Sequence, residues 1–191
     1  MKYIKDAGYN TFIADEYVHA IYKVNQPGYK AIKRAFGDKF VTKTEVNRKA
    51  LGALVFRDKT ALKKLNKLMN PLIRSAIEKL DKNKTWFIEL ATYIFYPQDF
   101  ANLFDKIVLI FTNKNWKNNY QSKKFSYLKK IPTIFVEKSK KTKPSIFNID
   151  NRIGQDPIIN VDIFVNNSQN KKILKNNILK ICKNINQHII K

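Results

Sequence analysis

The chain has a single cysteine, Cys182, among its 191 residues. One thiol closes no internal disulfide, and with only His19 and His188 beside it there is no Cys/His cluster of zinc-binding spacing. A reducing cytoplasm is the setting this implies. No apolar run approaches the roughly 18 residues that a membrane span requires. The opening Met1-Lys-Tyr-Ile-Lys-Asp-Ala-Gly8 has no apolar stretch of the kind that leads a secreted chain. Acidic residues are scarce: 15 Asp and Glu face 37 Lys and Arg, for a net charge of +22. Arginine is scarcer still, limited to Arg34, Arg48, Arg57, Arg74 and Arg152. Such a charge suits polyanions, yet arginine is the residue of bidentate phosphate and base contacts. The lysine excess therefore reads first as a solvated coat, with nucleic acid as the alternative partner.

What is present is a core. Hydrophobic residues make up 44% and aromatics 13%, spread along the whole length, which fits one domain over residues 1–191. Lys2 to Ala7 reads as the end of a helix closed by Gly8. Tyr9-Asn-Thr-Phe-Ile-Ala14 suits a buried strand, with Asp15 placed to N-cap a helix over Glu16–Val24. Asn25-Gln-Pro-Gly28 is a turn. From residue 29 to residue 80 the pattern is helical, with apolar stripes through Ala31, Ile32, Ala35 and Phe36, then Leu51, Leu54 and Val55, then Leu62, Leu65, Leu68 and Met69. Pro71 predicts a new helix after Asn70. Lys84–Leu90 and Leu103–Phe111 read as strands, the second an apolar run expected to be covered on both faces of a parallel sheet. Residues 113–155 are polar and Lys-rich, a candidate lid, broken by a possible strand at Ile131–Val136. A strand at Asn160–Val165 and a helix at Lys171–Ile190 close the chain. Strands alternating with helices predict an α/β layered fold.

Four blocks, read together, resemble the dephospho-coenzyme A kinase family: Gly8-Tyr-Asn-Thr-Phe-Ile-Ala-Asp15; Asn25-Gln-Pro-Gly28 with Ala35-Phe-Gly37, Asn47-Arg-Lys-Ala-Leu51, Val55-Phe56 and Asn70-Pro-Leu-Ile73; Ile88-Glu-Leu-Ala-Thr92; and Arg152-Ile-Gly-Gln155 followed by Val161-Asp-Ile-Phe-Val-Asn-Asn167. The resemblance implies a P-loop kinase-like parallel sheet flanked by helices, with residues 29–80 as a helical substrate-binding region and residues 113–155 as the lid. It implies ATP-dependent phosphorylation of the 3′-hydroxyl of dephospho-coenzyme A, with Mg²⁺ required. Asp15 would be the catalytic base on that hydroxyl, and Arg152 a lid arginine stabilising transferred charge. Arg48 and Asn70 would bind the substrate, and Asn166 and Asn167 would lie by the nucleotide. Glu89 is a lesser acidic candidate. Two positions depart from the family pattern: Asn47 stands where Asp is usual, and Asn70 where His is usual. Lid arginines are lost or replaced by lysines such as Lys123 and Lys124, which supply charge without the bidentate fork.

The pattern also lacks its opening. The five glycines are Gly8, Gly28, Gly37, Gly52 and Gly154, and no Gly-x-x-x-x-Gly-Lys-Ser/Thr occurs. That loop would cradle phosphate with backbone N–H groups and bring up a lysine. The strand before it would lie mid-sheet, so two neighbouring strands are expected to lack a ladder partner. Each unpaired buried backbone group costs about 1–3 kcal/mol. On this reading the chain as it stands is expected to be inactive, either because about 18 residues precede Met1 in the true protein or because the gene has decayed. The remaining alternative is a kinase-derived binding protein in which Ile131–Val136 fills the gap.

Overall fold

The computed structural model describes residues 1–111, 145–148, 158–161, 163–166 and 171–189. In chain order the elements are α1 (Lys2–Asp6), β1 (Asn10–Ile13), α2 (Ala14–Ile21), α3 (Pro27–Phe36), α4 (Arg48–Val55), α5 (Lys59–Glu78), β2 (Trp86–Glu89), β3 (Val108–Phe111), β4 (Ser145–Asn148), β5 (Ile158–Val161), β6 (Ile163–Asn166) and α6 (Lys171–Ile189). The α/β class expected from the sequence is what forms. The chain divides into two compact units: Met1 with Asn10–Ala91, and Lys2–Tyr9 with Thr92–Lys191.

In the first unit, β1 and β2 pair in parallel, with Asn10 opposite Trp86 and Ile13 opposite Glu89. Parallel neighbours need a crossover, and here the crossover is the helical stretch α2–α5. Its core is Ile21, Tyr22, Ile32, Phe40, Val46, Leu51, Val55, Ala61, Met69, Ile73 and Ile77, of which Ile32 is 0% exposed. Asp58 starts α5 by accepting hydrogen bonds at Oδ1 from the N–H groups of Thr60 (2.7 Å) and Ala61 (3.1 Å). Contrary to the break expected after Asn70, α5 runs unbroken through Pro71. A proline inside a helix costs about 3 kcal/mol. Here the stripe Ala61, Met69, Ile73 and Ile77 is buried on both sides of it, and each large apolar side chain buried contributes about 1.5–3 kcal/mol, enough to hold the helix together.

The turn expected over Asn25–Gly28 is cut short, because α3 already begins at Pro27. Pro27 occupies the first turn of α3, where its missing N–H is not needed. Gly28 sits against the end of α2: a Cβ there would lie 2.8 Å from the carbonyl oxygen of Ile21. Just past α2, the backbone of Tyr22–Val24 is tied to Thr44–Val46, with Val24 N–H donating to Thr44 O (2.7 Å) and Val46 N–H to Tyr22 O (2.9 Å). Burial of Tyr22 pushes its phenol up to about 12, so it stays a neutral anchor.

In the second unit, α1 ends as expected at Gly8, which takes φ +85°. Gly8 N–H donates to Lys5 O (3.0 Å) and Tyr9 N–H to Ile4 O (3.3 Å), the paired bonds of a Schellman motif. Helix α1 packs on α6, where the Lys175 ammonium lies 5.9 Å from the Tyr3 ring centre. Cys182 is buried on α6, and that burial raises its thiol pKa. Strand β3 pairs in parallel with β6, and β4 is antiparallel to β5. The strand expected over Leu103–Phe111 forms only at Val108–Phe111, because Asn102 at φ +63° and a Leu103 N–H to Phe100 O bond make a turn ahead of it. Nor is it covered on both faces: Val108 is 37% and Ile110 51% exposed. Each parallel pair, β1–β2 and β3–β6, is two-stranded among the described residues. Over the stretch expected as the closing strand the described elements are β5 and β6, with 162 outside the described residues. Most of the candidate lid, 113–144 and 149–155, and with it the expected strand at 131–136, lies outside the described residues.

Gly28→Ala is expected to lower stability by about 1–3 kcal/mol, read as a lower thermal midpoint; an unchanged midpoint would show that α3 is free to move off Ile21.

Candidate active site

Strand β1 hands the chain directly to α2. The helix begins at Ala14 with Ile13 as its cap residue and no side-chain cap bond. Asp15 is therefore not the N-cap expected from the sequence; it stands exposed in the first turn of α2, with Glu16 beside it. The cause is that the backbone turns helical one residue early, at the buried Ala14. A carboxylate in a first turn is favoured by the exposed N–H groups of the helix end. Asp15 follows the carboxyl end of a parallel strand, the edge where α/β folds gather ligands. Glu89 ends β2 opposite Ile13, so both acids leave the sheet at that edge.

One turn along α2 is His19, on the face that carries Asp15. Arg48, the first residue of α4, is exposed, and its Nη1 donates to His19 Nε2 at 3.1 Å. A guanidinium has no lone pair to offer, so Nε2 must be the acceptor and the ring proton sits on Nδ1. Glu45 stands next to this pair and bridges to Lys23. The Lys23 hydrogen bond first, then its charge, holds the Glu45 carboxyl below the usual carboxylate range, with a smaller pull from Arg48. The result is an exposed patch where Asp15, His19 and Arg48 share one side of α2 and the start of α4.

Asn47 fixes where α4 starts. Its Oδ1 accepts from Ala50 N–H at 3.1 Å. Asn and Asp cap helices about equally well, so the departure from the family's Asp keeps the cap and gives up only a charge. Asn70 is elsewhere: 1% exposed, in the interior of α5 among the buried residues of the helical region. The structure does not bring it to the surface with Arg48. Asn166 closes β6 opposite Phe111, in the second unit. Arg152, Asn167, Lys123 and Lys124 lie outside the described residues. His19 carried no role in the sequence reading; its spacing of four from Asp15 was the signal available. An open groove of about 420 Å³ beside α4, lined by Lys39, Phe40, Ala50, Ala53, Leu54 and Arg57, was also unmarked.

A family model described as dephospho-CoA kinase matches residues 1–117. A dephospho-CoA kinase of Mycoplasma genitalium is 32% identical over 154 residues, which is 78% of this chain and 77% of that protein. The chain belongs to the dephospho-CoA kinase family. A second member, from Mycoplasma pneumoniae, is 32% identical over 114 residues, 58% of this chain and 57% of its own length. The solved dephospho-CoA kinase of Campylobacter jejuni shares the fold at TM-score 0.54 and 20% identity, covering 98% of this chain and 90% of that one. Asp15, His19, Arg48 and Asn70 all fall inside the matched residues of this dephospho-CoA kinase family member, whereas Arg152, Asn166 and Asn167 fall beyond them.

Asn47→Ala is expected to cost about 1 kcal/mol, and Asn47→Asp no more than a few tenths, both measured by urea unfolding; equal losses from the two would remove the capping role.

Proposed function

We propose that this chain holds dephospho-coenzyme A and presents its 3′-hydroxyl for phosphoryl transfer from ATP, the reaction that yields coenzyme A. One observation supports the proposal: Arg48, which starts α4, is bonded to His19 of α2, one helical turn from Asp15, and Asp15 follows the carboxyl end of a parallel strand pair. A carboxylate at that edge can accept the proton of a hydroxyl as it attacks phosphorus. The Arg48 guanidinium can grip the acceptor's own phosphates with a fixed fork of donors. Asn70, buried in α5, is the second residue proposed for the substrate region.

The donor side is separate. Phosphoryl transfer needs a cradle of backbone N–H groups with a lysine at the donor phosphates, and no Gly-x-x-x-x-Gly-Lys-Ser/Thr lies in these 191 residues. Arg152, Asn166 and Asn167 are the residues proposed for the nucleotide. Among the described residues no three His, Cys, Asp or Glu side chains gather as a metal cage. That does not argue against Mg²⁺, which is usually held by one or two carboxylates and the nucleotide's phosphates; no step is derived through it. Among the described residues no helix is long and apolar enough to cross a membrane. The single cysteine suits a reducing cytoplasm.

Dephospho-coenzyme A is expected to bind the chain saturably in calorimetry. Asp15→Asn should leave that affinity within about twofold, because a base on the hydroxyl acts in the transfer step and not in holding the ligand, whereas Arg48→Ala should weaken it about tenfold. A wild-type chain that fails to bind dephospho-coenzyme A contradicts the proposal.

A further inference from the structure

We infer that His19 is a positioning residue: its Nε2 holds the Arg48 guanidinium in place for the phosphates of the acceptor. This rests on the functional reading above. Arginine side chains at a surface are long and lose rotamer freedom when they bind. Arg48 is exposed at the first position of α4, so without a partner its fork would be disordered until the ligand arrived. The partner observed for it is His19, at 3.1 Å through one nitrogen, Nη1. The other guanidinium donors are not used in that bond, and a guanidinium has five in all. A neutral imidazole is well suited to this task. It accepts from arginine without neutralising the charge that a phosphate needs, as a carboxylate would. A carboxylate that feels the charge of Arg48, Glu45, is engaged by Lys23 instead.

Backbone geometry makes the pairing possible. His19 lies on α2 and Arg48 follows the segment Thr44–Val46, which is bonded to the residues just past α2. The Asn47 cap then sets the first turn of α4. The two side chains thus start from rigidly tied places, and the bond between them costs little ordering beyond what the fold has already fixed.

The test is a double-mutant cycle on the full chain, with dephospho-coenzyme A affinity as the readout and the thermal midpoint measured alongside. His19→Ala is expected to weaken binding about fivefold with an unchanged midpoint, since the residue is exposed. His19→Gln, which keeps an acceptor for Arg48, should restore affinity to within about twofold. In an Arg48→Ala background, itself weaker than wild type, His19→Ala should cost nothing more. The ring gives an independent signature: in ¹⁵N-detected spectra wild-type His19 should show the Nδ1–H form, and Arg48→Ala should shift it toward the Nε2–H form of a solvated imidazole. Wild-type binding that His19→Ala leaves unchanged, or an equal loss from His19→Ala in both backgrounds, overturns the inference while leaving the functional reading standing. No binding by the wild type overturns the functional reading itself.

Discussion

Two backbone hydrogen bonds carry the arrangement. Val24 N–H to Thr44 O and Val46 N–H to Tyr22 O lash the exit of α2 to the entrance of α4. Without them α2 would present Asp15 and His19, and α4 would present Arg48, with nothing to set one against the other. Their surroundings leave little slack. Gly28 lets α3 press against the Ile21 carbonyl where no Cβ fits, and the buried Tyr22 and Val46 side chains lie at the tied residues themselves. Backbone bonds flanked by packed side chains open rarely, and the Tyr22–Val46 bond has that flank, whereas Val24 and Thr44 are exposed.

The candidate residues fall on different strand pairs. The first unit carries the base candidate and the candidate substrate arginine on a helical crossover between two parallel strands. The nucleotide candidate among the described residues, Asn166, belongs to the second unit, on a different strand pair. Exposed apolar residues on β3, Val108 and Ile110, belong to a strand with a single ladder partner among the described residues. A continuous apolar run of that kind is normally covered on both faces.

Much of this was legible in the residues, for identifiable reasons. Strands β1 and β2 and the Gly8 helix end follow from local rules of period, capping and φ that need no tertiary context, whereas Pro27-Gly28, read as a turn, already belongs to α3. Asp15 and Arg48 were singled out because the family pattern names them, and their roles remain proposals. What failed was where tertiary packing outweighed a local rule. Pro71 signals a break, but the buried stripe through Met69, Ile73 and Ile77 carried the helix past it. Asp15 has the chemistry of a cap, but the buried Ala14 began the helix a residue early. The burial of Asn70 in α5, at 1% exposure, is likewise something no local rule gave. His19 was invisible because its partner lies 29 positions away, joined by a loop geometry that no periodicity encodes.

The most direct test of the account is a backbone amide spectrum recorded as dephospho-coenzyme A is added to the chain. The account predicts that the earliest and largest shifts fall on Asp15, His19 and the first turn of α4 at Arg48. Shifts confined to the groove of Lys39, Leu54 and Arg57, or none at all, would contradict it.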